Sequence, residues 1–148
     1  MEPLIGLIVG TLITRLTGFA GVDALDGWQP ALYGGISLMF VLTGVAHFVP
    51  SMRSGMIAMV PPRLPAAGLL VTVTGIAELA GAVGVWIPGT ARLASACLAV
   101  LLLVMFPANV SAIRRRVTLR GKEQEPLWIR TLLQLVFLAA CLAGALPA

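Results

Sequence analysis

The stretch Leu69–Val85 reads LLVTVTGIAELAGAVGV and carries a single ionisable residue, Glu78. As a helix it is long enough to cross the hydrocarbon of a bilayer. Glycine recurs at a spacing of three on either side of the acid, with Gly75 before Glu78 and Gly81 and Gly84 after it. On a helix this lays a strip of bare backbone beside the carboxylate, against which another helix can come close. A carboxylate at membrane depth is costly unless it is paired or protonated. Glu78 is therefore a candidate functional residue as well as a candidate packing contact.

Runs of the same character recur along the chain. Of 148 residues, 59% are hydrophobic and 11% charged, too few polar side chains to coat a soluble domain. The expected fold is all-α: an integral membrane helical bundle forming one membrane domain over residues 1–148. Its five transmembrane helices are expected at about 4–22, 31–49, 67–87, 90–110 and 127–146. The first run carries Glu2 and no Lys or Arg ahead of its apolar stretch, and no clear cleavage site follows it. It reads as a retained span rather than a signal peptide. Pro61, Pro62 and Pro65 break the loop after the second span, and its methionines suit a short interfacial or re-entrant segment.

The net charge of +4 does not point to nucleic acid. Seven of the ten basic residues fall in the loops Arg53–Arg63 and Arg114–Lys122, while Asp23–Pro30 is acidic. With five spans, both basic loops share one side. The positive-inside rule makes that side cytoplasmic in a cell's inner (plasma) membrane, with the N-terminus inside and the C-terminus outside. The lipid bilayer is the partner this pattern implies.

A few polar residues stand inside or at the ends of the spans. From the expected boundaries, His47 and Asn109 lie within roughly 5 Å of the basic face, Gln134 roughly 10 Å in and Glu78 roughly 16 Å in. Together these four form a candidate polar track from the cytoplasmic side to mid-membrane, suited to proton uptake or a ligand pocket between helices. Arg15 falls at the same expected depth as Glu78, so the two form a candidate intramembrane ion pair joining the first and third spans. Pro107 is expected to kink or end the fourth span, with Asn109 serving the backbone groups it frees. Cys97 and Cys141 lie at similar expected depth and read as small apolar residues. There is no metal-ligand spacing, P-loop, dinucleotide-binding fingerprint or nucleophile elbow, so no catalytic residue is assigned. One histidine cannot supply a two-histidine haem site within one copy.

Taken in order, GVAHF at 44–48, MVPPRLP at 59–65, TGIAELAGAVG at 74–84, FPANV at 106–110 and the stretch 130–134 resemble the DoxX family of small bacterial membrane proteins. The resemblance covers residues from about 33 to 137. It implies a four-helix membrane bundle, to which the first span is added as an N-terminal helix. It further implies an accessory subunit of a membrane redox complex, with quinone as the candidate cofactor and a larger membrane complex as partner. His47, Glu78, Asn109 and Gln134 are the family-like polar positions. The alternative is a structural or assembly subunit without redox chemistry, docking through glycine-rich faces. A transporter ranks below both, since five spans without an internal repeat do not fit the inverted-repeat plan.

Overall fold

A computed structural model of the chain describes residues 1–147. Its helices are α1 (Glu2–Phe19), α2 (Trp28–Ala46), α3 (Pro50–Met59), α4 (Ala67–Gly84), α5 (Ala91–Arg114) and α6 (Leu127–Ala145). All but α3 are long and apolar enough to cross a membrane. Their outward faces are apolar, with Ile5, Leu12, Leu16, Val73, Leu103 and Leu135 all exposed. Apolar surface on that scale is stable against lipid, not against water.

Proline and glycine set most boundaries. Pro3, Pro30 and Pro50 each lie in a first helical turn, where a missing N–H breaks no intrahelical bond. α3 stops ahead of Pro61-Pro62, and the α4–α5 hairpin turns at Pro88-Gly89 with Gly89 at φ +84°. Pro107 does not end α5, which runs through it for seven more residues to Arg114. The carbonyl it leaves without an intrahelical donor is that of Leu103. The adjacent Leu102 carbonyl accepts a hydrogen bond from Gln134 Nε2 of α6 at 2.7 Å. Asn109 does not serve this break; its Oδ1 accepts from Arg130 instead.

Helices α2, α4, α5 and α6 close into a ring, each packed against its neighbours, and α1 lies outside it against α2. Phe40, Ile36, Met39, Leu98, Val85 and Cys141 fill the ring and are fully buried. The α1–α2 seam is backbone on backbone. A Cβ added at Gly10 would stand 2.9 Å from the Cα of Gly35, and one at Gly6 would stand 3.2 Å from the Cα of Met39. The glycines of α4 face other partners. Gly75 lies against His47 at the end of α2, while Gly81 and Gly84 admit Leu98 and Ala94 of α5.

Helix α3 packs on α4 and α5 at one end of the ring. It is pinned from both sides. Arg53 donates to the carbonyls of His47 and Gly68 and to Thr72 Oγ1, at 2.9–3.1 Å. Arg115 donates to the carbonyls of Ala58, Met59 and Val60 at 2.7–3.0 Å, satisfying the open C-terminal end of α3. This contact brings the two basic loops together at the same end. Both thiols are free: Cys141 is in the core, whereas Cys97 is exposed on α5.

Candidate functional site

Gly44 on α2 and Gly75 on α4 create the site. A Cβ at Gly44 would lie 3.3 Å from the Cβ of Glu78, and a Cβ at Gly75 would collide with the His47 side chain. With both positions bare, the end of α2 seats against the middle of α4, and His47 comes beside Glu78. The gap from His47 Nδ1 to Glu78 Oε2 is 3.7 Å, too long for a hydrogen bond. His47 Nδ1 instead lies 2.8 Å from the carbonyl of Thr43. A carbonyl only accepts, so the proton is on Nδ1, and Nε2 of the neutral ring is an acceptor. Both side chains are almost wholly buried, yet Glu78 Oε2 has no hydrogen-bond partner.

These residues open onto a cavity of about 360 Å³ inside the ring, within the range of small-ligand sites. Its walls are largely apolar, and five of the six methionines of the chain line it: Met1, Met39, Met56, Met59 and Met105. Unbranched thioethers adapt to irregular shapes, so this lining suits a flexible apolar occupant. Helix α3 and the following loop cover one end through Met56, Met59, Pro61 and Leu64.

All four residues of the candidate polar track, His47, Glu78, Asn109 and Gln134, line this one cavity. Their depths differ from those expected. His47 and Glu78 are neighbours, not separated by two turns, because α4 starts well beyond the end of α2. His47 meets Gly75, the ninth residue of α4, so the overhang is roughly 12 Å. Helix α3 and the proline loop occupy that overhang.

The Arg15–Glu78 ion pair does not form. Arg15 Nη1 lies 2.5 Å from Asp26 Oδ1, and its guanidinium stacks 3.9 Å from the centre of the Phe19 ring. The cause is the end of α1. That helix stops at Phe19 rather than near residue 22, which leaves Arg15 one turn from the end, roughly 6 Å. A short 3-10 turn at Asp23–Leu25 then folds Asp26 back over it. Glu78, meanwhile, faces α2 from the opposite side of that helix to α1.

Arg130, at the start of α6, also enters the site. It donates to Asn109 Oδ1 at 2.6 Å and to Gln124 Oε1, and its Nε is buried without a partner. The available signal was its spacing of four from Gln134, which puts both on one face of a helix. Among the described residues no cluster of three or more metal-binding side chains occurs.

No curated protein and no solved structure matches the chain. Residues 36–145 match a family described as "Domain of unknown function (DUF8561)". The match begins inside α2, so it covers most of the ring and the whole cavity wall contributed by α4, α5 and α6, and leaves α1 outside. With about three-quarters of its length matched, the chain belongs to the DUF8561 family.

Proposed function

We propose that this protein is a membrane-embedded binding subunit. It holds one amphipathic molecule inside the α2–α4–α5–α6 ring, with the polar head at His47 and Glu78 and the apolar part along the methionines. One observation carries this reading: a buried carboxylate oxygen of Glu78 has no partner and lines a ligand-sized cavity. An unpaired buried polar group costs about 1–3 kcal/mol, a cost that an occupant removes. The DoxX-like motifs supply the biological setting we propose: an accessory role in a membrane redox complex, with quinone as the occupant. The chain encodes no haem pair or iron–sulfur ligand set, so a partner would exchange the electrons. The basic end of the ring is proposed to be cytoplasmic, so a reporter active only in the cytoplasm and fused to the C-terminus stays inactive.

The test is extraction of the protein from native membranes in polymer-bounded discs, followed by mass spectrometry of the bound small molecules. One hydrophobic molecule per chain is expected, lost on Glu78→Leu while the helical content is retained. Absence of any stoichiometric molecule overturns the reading. A stoichiometric protein partner without a bound molecule favours the assembly-subunit alternative.

A further inference from the structure

The two walls of the cavity differ in hydrogen-bonding character. On the α2 and α4 side every polar hydrogen is already committed. The Thr43 hydroxyl is shared between the Met39 carbonyl at 3.2 Å and the Glu78 carboxylate, while Thr74 Oγ1 donates to the Leu70 carbonyl at 2.9 Å and His47 Nδ1 to the Thr43 carbonyl. What this side offers the cavity is acceptors: the two threonine oxygens, His47 Nε2 and the Glu78 carboxylate. If Glu78 binds a proton, one donor stands among them.

The α5 and α6 side is the reverse. Gln134 Nε2 uses one hydrogen on the Leu102 carbonyl and keeps a second. Asn109 turns its oxygen to Arg130, so its amide hydrogens are the part left to offer. Arg130 Nε is buried and unpartnered. With Glu78 ionised, a carbonyl head satisfies only the second wall and leaves Glu78 Oε2 unpaired. An ammonium head satisfies only the first and meets Arg130 with like charge. A carboxylate head does the opposite and meets Glu78. A hydroxyl carries both a donor and an acceptor, the complement of what the two walls offer.

Resting on the binding-site reading above, we infer that the site selects a hydroxyl-bearing head group, and that for a quinone-type ligand it holds the reduced diphenol in preference to the oxidised dicarbonyl form. Sites built to bond a hydroxyl discriminate strongly against analogues lacking it, because buried protein groups are then stranded.

The experiment uses the full chain in lipid nanodiscs, with anaerobic equilibrium binding of decyl-1,4-hydroquinone, decyl-1,4-benzoquinone and decylammonium, each corrected for partition into empty discs. The hydroquinone is expected to bind about tenfold or more tightly than the quinone. Glu78→Gln, which replaces an acceptor with a donor amide, is expected to bring the ratio close to one. Thr74→Val, a change of nearly equal volume, is expected to lower it by a smaller factor. Equal or tighter binding of the quinone overturns this inference and leaves the binding-site reading standing. Tighter binding of decylammonium overturns the hydroxyl class. Binding of none of the three probes overturns this inference and the quinone occupant together.

Discussion

Toward α1, helix α2 presents Gly34 and Gly35; toward the inside of the ring it presents Met39, Phe40, Thr43 and His47. The first side brings two backbones together with no room for another carbon atom. The second side leaves a cavity of about 360 Å³ and strands a carboxylate oxygen. The seam gains van der Waals contact and nothing else, which is how helices associate where lipid competes equally for apolar surface. The cavity forgoes part of that contact and carries unpaired polar atoms, a cost that natural proteins concentrate at functional sites. One helix therefore serves as scaffold on one side and as binding wall on the other.

The largest expected effect lies in the seam. Gly10→Leu places a branched side chain where the Gly35 Cα already stands, and no flexible group is there to move aside. Thermal or denaturant melts in detergent are expected to show a loss of about 3 kcal/mol or more. A loss below 1 kcal/mol, roughly, would mean that α1 is loosely held and that the contrast with the cavity is false.

Glu78→Leu is expected to act in the opposite direction. Removing a buried carboxylate with one unpartnered oxygen is expected to stabilise the ligand-free protein by about 1–3 kcal/mol in the same melts. A destabilisation of similar size would show that Glu78 is a satisfied structural group, and the cavity would then resemble the seam.

Met56→Leu, in the adaptable wall, is expected to change stability by less than about 1.5 kcal/mol, since volume is nearly conserved. A larger loss would place α3 within a tightly fitted core.

The smallest effect concerns Arg15. A double-mutant cycle of Arg15→Leu with Asp26→Leu is expected to give a coupling of about 0.2–1 kcal/mol, small because Asp26 is largely exposed. The cycle of Arg15→Leu with Glu78→Leu is expected to give none, because seam and cavity occupy opposite sides of α2. Coupling in the second cycle would join the two regions that the structure separates.

Much of this was readable in the chain. The five spans follow from apolar length, and the α4–α5 hairpin from Pro88-Gly89. His47, Glu78, Asn109 and Gln134 stood out as polar residues in or beside apolar runs, and the fold brings all four to one cavity. Two differences share one origin: spans do not all start at the same plane. Arg15 lies one turn from the end of α1, not at mid-membrane, because α1 ends three residues earlier than its apolar pattern suggests. His47 lies beside Glu78 because α4 overhangs α2, an offset that cannot be read from either helix alone.

Hydropathy by itself determined that this chain is a helical membrane bundle, because a backbone in lipid must satisfy its hydrogen bonds within each segment. Glycine spacing likewise announced close helix approach, since the space left by a missing Cβ is a local property. The identity of the partners was not local. Gly75 receives His47, Gly10 receives Gly35, and Arg15 receives Asp26. Each of these pairings depends on the axial offset and rotation of two helices, and those are set by the packing of the whole ring against α3 and the loops. Only the tertiary structure therefore decided that Glu78 Oε2 has no partner, and that observation is the basis for reading the cavity as a binding site.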